Sequence, residues 1–506
     1  MKKLFRNLIL VLLTVAVSDL SSCGLLWYIS HPEEEEPGTP EPPQTQEPWE
    51  YEEEPLDPAI PVLTDLSKGN GDYGYKYFAA GTDASAADKL ALYDSIDAAV
   101  ENFKDKDAAY KAIDSKNYVY LVSEIKYSGL TTDEAVSVWK TYRDDHPLAY
   151  WLSTALYYDT VGSKLFLVAD QEYAKASDRA VYDRIITNAM SRYVYEAGKM
   201  PTEYEKVMCL HDLIVSDVNY VYADAANGVP SSESWAHNIV GVTEKRGAVC
   251  EGYARTYQLA LNLVGVENVF VTGVAGTGRD SGGHAWNLVK VDGKWYWIDP
   301  TWDDGNSSDY PSYEFFMKTD GEFLKTHTYH VPTKGNTDYL YGLPARAETA
   351  YAAAEVWLAG EKYSEGGISY RRSRYDGAEV VGATIYTTGF IFTTEKPRTL
   401  EIPKTISYRG RSYPVTSIGA SAFRNRTDIT EVSTGGVLRV REDAFSGCRN
   451  LKTLTLSASV NKIYDGAFNY CTGIASVKYL GTKEQFSKIA VGEKNDAFKS
   501  APVTFG

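Results

Sequence analysis

The apolar positions between residues 66 and 200 follow mainly the spacing of amphipathic helices. Apolar side chains recur three and four positions apart in three segments: Ala86–Phe103, Thr132–Asp144 and Ser177–Glu196. Two shorter apolar runs, Tyr118–Val122 and Lys164–Val168, are typical of strands. The pattern therefore predicts a mostly helical N-terminal region over 66–200, in which we find no catalytic constellation.

After residue 282 the helical spacing gives way to two runs that are typical of strands. Asp292-Gly293 separates two alternating runs and is a strong signal for a two-residue hairpin turn. Such a turn pairs Val291 with Lys294 and places every second side chain on the same face. His284 and Asp299 then become diagonal neighbours on that face, about 7–8 Å apart at the backbone and within side-chain reach.

Cys250 precedes a predicted helix over Glu251–Val264, in which Ala254, Tyr257, Leu261 and Val264 have helical spacing. A cysteine at a helix N-terminus lies beside unpaired N–H groups and the positive end of the helix dipole, which favour the thiolate. A histidine within reach would complete an ion pair with the thiolate, and an aspartate on the far ring nitrogen would fix its tautomer. The backbone N–H of Cys250 could provide one oxyanion donor.

Other interpretations apply to each of these residues alone. A cysteine in an apolar setting is often a small buried residue, a strand histidine is often structural, and Asp-Pro often marks a turn. A zinc site of Cys250, His284 and Asp299 would need a further close ligand pair, which this stretch lacks. The three residues together favour a catalytic site without cofactor or metal.

The segments around these residues resemble the transglutaminase-like superfamily. The matching blocks are Val249–Ala254, His284–Asn287 and Trp295–Trp302, in the order that the family has them, and Tyr204–Tyr220 resembles the helix that leads into its core. The resemblance covers roughly residues 200–330. It implies a papain-like core over 201–345 with Cys250, His284 and Asp299 as the catalytic triad. Tyr220, Trp235 and His237 are candidates for the second oxyanion donor, although core packing explains each of them better.

The N-terminus has the pattern of a signal peptide over 1–22. Lys2, Lys3 and Arg6 precede an apolar run, Leu8–Val17, that is too short to span a membrane. The run ends in Leu20-Ser21-Ser22-Cys23, which resembles a bacterial lipobox. We therefore expect cleavage before Cys23 and its lipidation, which would anchor the protein to a membrane outside the cytoplasm. The alternative is an ordinary signal peptide with an incidental cysteine.

Residues 23–65 form a predicted acidic, proline-rich tether. Nine prolines lie between His31 and Pro61, and eleven acidic residues lie between 33 and 57 without a Lys or Arg. Such a segment cannot bury a core and stays extended. It also accounts for much of the net charge of −17, and no basic patch suggests nucleic acid as a partner.

Residues 346–410 are β-rich and lead into an internal repeat over 411–506. Phe423, Phe445 and Phe468 recur at intervals of 22 and 23, with apolar residues five positions before and six after each. Three apolar columns at this period predict stacked coils that share one core. The pattern resembles the BspA-like leucine-rich repeats of bacterial surface proteins, with a degenerate cap from Leu480 through Phe498. Cys448 and Cys471 hold equivalent repeat positions, and we expect them to be buried thiols rather than a disulfide.

The sequence thus predicts an α+β protein: a papain-like transglutaminase core with a helical N-terminal region, followed by a small β-rich repeat solenoid. The expected function is cysteine acyl transfer on a protein or peptide, with the repeats binding a host or matrix protein or glycan. Water as acceptor would give a peptidase or amidase, whereas an amine would give a cross-linking enzyme. The alternative function is adhesion or binding without catalysis.

Overall fold

The computed structural model describes most of the chain from residue 58 onwards. The described residues are 15–16, 56, 58–82, 84–114, 117–225, 228–276, 282–304, 311–329, 342–351, 357–358, 360–373, 377–383 and 398–506. The expected lipidation site Cys23 lies outside them, as do most of the expected signal peptide and much of the tether. The chain divides into two compact units, Met1–Tyr351 and Ala352–Gly506.

Seven α-helices are described in the first unit. They are α1 Tyr73–Ala80, α2 Ala86–Phe103, α3 Thr132–Asp145, α4 Ala176–Gly198, α5 Glu203–Asp217, α6 Cys250–Leu263 and α7 Asp320–Phe323. The helices predicted at 86–103, 132–144 and 177–196 are confirmed as α2, α3 and α4. A capping box between Thr131 and Glu134 starts α3 and satisfies donors that the first turn leaves unpaired. No helix in the described residues has the length and hydropathy of a membrane span.

The N-terminal region also contains a sheet. Its strands are β1 Val15–Ala16, β2 Ala109–Ala112, β3 Tyr118–Lys126, β4 Leu156–Asp159 and β5 Lys164–Ala169, in the order β1-β4-β5-β3-β2. The runs at 118–122 and 164–168 are therefore confirmed as the starts of β3 and β5. The short strands β2 and β4 pair beside these two and carry no comparable apolar run of their own.

A second, four-stranded antiparallel sheet carries the predicted hairpin. After the short strands β6 Asn219–Tyr220, β7 Tyr222–Asp224, β8 Val229–Pro230 and β9 Gly247–Ala248, its members are β10 Asn268–Ala275, β11 Gly282–Val291, β12 Lys294–Ile298 and β13 His327–Tyr329. They pair in the order β12-β11-β10-β13. Val291 pairs with Lys294, and both Asp292 and Gly293 have positive φ, as a type I′ turn requires. The predicted turn and register are confirmed.

Helix α6 lies at the centre of the first unit. Every residue from Cys250 to Leu261 is buried, so the polar side chains of this helix need partners inside the protein. Arg255 donates to the Arg143 carbonyl (2.7 Å), and Gln258 donates to the Asp144 carbonyl (2.6 Å). These bonds fasten the end of α3 to α6. The N-terminal region therefore packs directly against the helix that begins with Cys250.

The second unit is almost entirely β-structure. Its strands are β14 Lys362–Glu365, β15 Ile368–Arg372, β16 Ala378–Ala383, β17 Arg398–Glu401, β18 Thr405–Tyr408, β19 Arg411–Ile418, β20 Ile429–Ser433, β21 Arg439–Val440, β22 Thr453–Leu456, β23 Lys462–Ile463, β24 Ser476–Tyr479, β25 Ala490–Val491 and β26 Val503–Phe505. Two short helices, α8 Lys483–Phe486 and α9 Asp496–Ser500, lie near its end. Part of the predicted β-rich connector, after Ala383, lies outside the described residues. The α+β class is confirmed.

The repeats stack in parallel, one strand pair for each coil. One parallel ladder runs β17-β20-β22-β24-β26, and another runs β16-β19-β21-β23-β25. The phenylalanine column is stacked, with ring centroids 5.2 Å apart for Phe423–Phe445 and 5.5 Å for Phe445–Phe468. Phe498 extends the column at 5.3 Å from Phe468, although its spacing in sequence is longer.

Cys448 and Cys471 are free, buried thiols, as expected. Each sulfur donates to the carbonyl of the phenylalanine one coil earlier: Cys448 Sγ to Phe423 (3.1 Å) and Cys471 Sγ to Phe445 (3.0 Å). Burial raises the pKa of Cys448 to about 12 and that of Cys471 to about 11. Both thiols are therefore unreactive packing residues at neutral pH.

Candidate active site

Cys250 is fully buried at the first position of α6. The preceding residue, Val249, occupies the N-cap and offers no side-chain acceptor to the first-turn N–H groups. The N–H groups of the first turn and the helix dipole therefore favour negative charge at the Cys250 sulfur. Cys250 belongs to a small apolar cluster with Ala254, Phe270 and Ala285, which places it beside the strand residue that follows His284.

His284 and Asp299 are joined by a short hydrogen bond. The distance between His284 Nε2 and Asp299 Oδ2 is 2.7 Å, and both side chains are buried. The carboxylate accepts this bond only from an Nε2–H, which fixes the ring orientation and directs Nδ1 away from Asp299. The sequence-based expectation that the hairpin brings these two side chains within reach is confirmed, although Asp299 lies just beyond the end of β12.

A second histidine, His327 on β13, binds the same carboxylate oxygen. Its Nε2 lies 3.1 Å from Asp299 Oδ2. The other oxygen, Oδ1, accepts from the backbone N–H groups of Thr301 (2.9 Å) and Trp302 (3.2 Å). Burial alone would raise the pKa of Asp299, but the two imidazoles hold it well below its usual value. Asp299 is thus a buried, ionised group with four donors.

His327 was not a sequence-predicted site residue. It follows Asp299 by 28 positions and reaches the site because β13 pairs with β10, with Ala275 opposite His327. The strand has only three residues, too few to show a periodicity. A His-Thr-Tyr alternation is the sole sequence signal, and it specifies no partner strand.

His284, Asp299 and His327 form a group whose ligand atoms all lie within 4.8 Å of one another. Tetrahedral bonds of about 2.0–2.2 Å to one metal ion hold the ligand atoms roughly 3.3 Å apart. The 2.7 Å between His284 Nε2 and Asp299 Oδ2 is the length of a direct hydrogen bond. The geometry therefore favours a hydrogen-bonded cluster over a metal centre.

The three oxyanion candidates take different positions. Tyr220 lies on β6, opposite Ala248 of β9, and its ring contacts Tyr222. Trp235 and His237 lie on the 3₁₀-helix Ser234–His237. Both ring nitrogens of His237 face acceptors, with Nδ1 at 3.3 Å from Glu251 and Nε2 at 3.1 Å from the Ser231 carbonyl. His237 is therefore part of a hydrogen-bonded network rather than of the apolar core.

Glu251, the residue after Cys250, anchors the start of α6. Its buried carboxylate accepts from Arg255 Nε (2.9 Å) and lies 3.5 Å from Arg143 Nη2. Burial would raise the pKa of Glu251, but Arg255, His237 and Arg143 lower it far below its ordinary value. The ion pairs hold the N-terminal turn of α6 against α3 and the 3₁₀-helix.

The segment 299–304 carries two more carboxylates, each bound to a different helix. Asp303 lies 3.2 Å from His211 Nε2 of α5, and the backbone N–H of Asp303 donates to the Asp299 carbonyl. Asp304 accepts from the hydroxyl of Tyr253 on α6 at 2.5 Å. The loop that carries Asp299 is therefore held on several sides by side chains from the surrounding elements.

A cysteine thus begins α6, and a histidine–aspartate pair lies at the four-stranded sheet. Residues 189–300 match the transglutaminase-like superfamily, and residues 393–495 match the BspA-type leucine-rich-repeat region in six copies. The chain thus contains a transglutaminase-like domain followed by BspA-type repeats, which are typical of surface proteins.

Individual relatives cover shorter parts. The human Kyphoscoliosis peptidase is 28% identical over 134 residues, which is 25% of this chain and 20% of that protein. The chain therefore matches about a fifth of the length of this relative. A leucine-rich repeat protein from Bacteroides capillosus is 20% identical over 28% of this chain and 98% of its own, with a TM-score of 0.23. A solved structure described as a TGase is 21% identical over 29% of this chain and 41% of its own, with a TM-score of 0.21.

Proposed function

We propose that this protein is a surface-anchored cysteine acyl-transfer enzyme in which Cys250 is the nucleophile, His284 the acid–base residue and Asp299 the residue that orients it. The observation that carries this proposal is the 2.7 Å bond from His284 Nε2 to the buried carboxylate of Asp299. Cys250 packs in one cluster with Ala285, the residue that follows His284. A lone structural cysteine would need neither an ionised carboxylate nor an oriented imidazole.

In the proposed mechanism, the Cys250 thiolate attacks an amide carbonyl, and a C–S bond forms. Because His284 Nε2 is engaged by Asp299, His284 Nδ1 is the nitrogen that takes the thiol proton and returns it to the leaving amine as the C–N bond breaks. The developing oxyanion accepts from the backbone N–H of Cys250. Water or an amine then cleaves the resulting thioester and regenerates the thiol.

We favour water over an amine as the acceptor, since the sequence offers no separate site for a second, amine substrate. The test is a glutamine-containing peptide supplied with a labelled primary amine. Release of ammonia without incorporation of the label supports hydrolysis. Incorporation at rates well above hydrolysis would instead make the protein a cross-linking transglutaminase.

Thiol activation can be tested without knowing the substrate. Alkylation of each cysteine by a small reagent is followed by mass spectrometry against pH in the wild type and in His284→Ala. Cys250 should react well below the free-thiol pKa of about 8.5, and His284→Ala should remove that advantage. Cys448 and Cys471 serve as internal controls, because burial raises the pKa of both. Equal pH profiles for Cys250 in the two proteins would refute the proposal.

Membrane anchoring through Cys23 is part of the same proposal and is supported by the lipobox-like sequence Leu20–Cys23. Expression with a labelled fatty acid should label the wild type and leave Cys23→Ser unlabelled. Retention of the label by Cys23→Ser would assign the lipid to another residue. In this proposal the repeats bring the enzyme to a protein or glycan on a host or in a matrix.

The second candidate function is binding through the repeats without catalysis. A cavity of about 440 Å³ in the second unit favours it, because Glu365, Tyr370 and Glu401 contribute to its lining. Binding of a matrix component that Cys250→Ala retains and that Glu365→Gln with Glu401→Gln weakens would support this function. It would replace the catalytic proposal only if Cys250 also shows no activation.

A further inference from the structure

We propose that His327 is a positioning residue that fixes the Asp299 carboxylate for His284 by sharing its Oδ2 oxygen. The inference rests on the proposed function, because it assigns His327 to the same catalytic unit. It adds a second imidazole to the cysteine, histidine and aspartate that the sequence identifies.

The contact with Asp299 fixes a hydrogen on Nε2 of His327. Thr326 Oγ1 lies 2.9 Å from His327 Nδ1, and Asp299 Oδ2 lies 3.1 Å from His327 Nε2. A carboxylate oxygen accepts only, so Nε2 carries a hydrogen and donates. The Thr326 hydroxyl also lies 3.4 Å from the Phe323 carbonyl, to which it can donate, so only the Nε2–H of His327 is fixed by its partner.

Aromatic packing holds the ring in place. His327 is buried and stacks on Phe323 with ring centroids 3.9 Å apart, while Trp302 lies at 4.6 Å and Trp286 at 5.0 Å. These rings leave the imidazole little freedom to turn away from Asp299. The N–H of His327 is therefore a fixed donor rather than an adaptable one.

The hydrogen bond from His327 helps to fix the orientation of the Asp299 carboxylate. Thr301 and Trp302 hold Oδ1 through their backbone N–H groups, and His327 adds a donor to Oδ2 from the side of β13. Fixing both oxygens restricts rotation of the carboxylate about its Cβ–Cγ bond. Oδ2 then stays at hydrogen-bond distance from His284, and the imidazole of His284 stays in the orientation that the proton transfer needs.

Two substitutions of His327 separate the effect of its N–H donor from the effect of its aromatic ring. His327→Phe keeps an aromatic ring against Phe323 but removes the N–H, whereas His327→Gln loses the ring but can place an amide N–H near the same position. Thr328→Val is the matched control, because Thr328 is an exposed neighbour on β13. If His327 acts by donation, alkylation of Cys250 slows about 10- to 100-fold in His327→Phe and stays close to wild type in His327→Gln and Thr328→Val. If His327 only fills space, Cys250 is alkylated more slowly in His327→Gln than in His327→Phe. That result would overturn the proposal.

A second readout does not depend on catalysis. The full chain with Cys250→Ala and ¹⁵N-labelled histidines reports the Nε2–H of His284 by NMR. His327→Phe should speed exchange of this proton with water, and His327→Gln should leave it slow. An unchanged exchange rate in His327→Phe overturns the positioning proposal. Unactivated Cys250 in the wild type, combined with the expected exchange rates, would refute the proposed function and leave the hydrogen-bonded arrangement intact.

Discussion

The hydroxyl of Tyr253 donates to Asp304 Oδ2 at 2.5 Å and so links the helix that begins with Cys250 to the loop that carries Asp299. Burial, followed by the nearby Asp304 carboxylate, raises the pKa of Tyr253 far above its usual value. The phenol therefore stays protonated at neutral pH and donates to the carboxylate. The bond holds α6 and the loop of Asp299 at a fixed distance, and the proposed mechanism requires this distance to be kept.

Tyr253→Phe should lower both stability and thiol activation. Loss of a buried hydrogen bond to a charged group lowers the free energy of unfolding by about 1–3 kcal/mol, and the loosened loop should slow alkylation of Cys250 several-fold. Tyr257→Phe is the matched control, since this buried tyrosine of the same helix donates to the Val207 carbonyl (2.9 Å). It should lose stability without changing the alkylation rate. Equal alkylation rates in the two variants would contradict a role for the Tyr253–Asp304 link.

His211 makes the stability of the first unit depend on pH. Its Nδ1 faces Asp212 (3.1 Å) and its Nε2 faces Asp303 (3.2 Å). Burial opposes the charge, but these two carboxylates outweigh it and raise the pKa of His211 to about 9. The folded-state value lies above the unfolded value of about 6.5. The stabilisation is therefore complete below pH 6.5 and is lost as the pH rises through 9.

Urea unfolding of the full chain at pH 6 and pH 9.5 measures this effect. The difference attributable to His211 should be about 3 kcal/mol at most, and His211→Gln should remove it. If His211→Gln shows the same loss of stability between the two pH values as the wild type, His211 is not the group responsible.

Gly252 lies where α6 passes closest to the 3₁₀-helix Ser234–His237. A Cβ at this position would lie 2.6 Å from the Ala236 carbonyl oxygen and 2.9 Å from the Ala248 Cβ. Gly252→Ala should therefore displace the start of α6, lower the free energy of unfolding by about 1–3 kcal/mol and slow alkylation of Cys250. Gly198→Ala, at the end of α4 in open space, should be neutral or stabilising. A Gly252→Ala protein with wild-type stability would show that this approach is looser than the structure indicates.

The site could be predicted from the sequence only where local rules fix the geometry. Asp292-Gly293 permits one tight turn, and the turn sets the register that brings His284 near Asp299. Cys250 was placed by the helical spacing that follows it. His327 could not be found, because pairing of β13 with β10 is a long-range choice that a three-residue strand does not encode. The contacts Tyr253–Asp304 and His211–Asp303 could not be found for the same reason, because each joins distant segments.

The repeat period predicted the core of the second unit for a similar local reason. Residues at equal positions in successive coils stack, so a column of phenylalanines in sequence becomes a column of rings in space. Phe498 departs from the repeat period, so its spacing in sequence does not predict its place in the stack. It joins the column at the end of the repeat region.

Phe445 lies in the middle of this column, between Phe423 and Phe468. Phe445→Ala should lower the stability of the second unit by about 3–5 kcal/mol, because both neighbouring rings lose a partner and a cavity remains. Limited proteolysis should then cut first within residues 398–506. Phe445→Leu, which refills most of the volume, should lose clearly less. Equal protease resistance in wild type and Phe445→Ala would contradict a shared core.

If Cys250, His284 and Asp299 act as one unit, a double-mutant cycle on the alkylation rate of Cys250 at pH 6.5 should show it. His284→Ala and Asp299→Asn should each slow the reaction strongly. Because Asp299 acts only through the imidazole, Asp299→Asn should have no further effect in the His284→Ala protein. Independent, additive losses from the two substitutions would show that His284 and Asp299 do not act as one unit on Cys250.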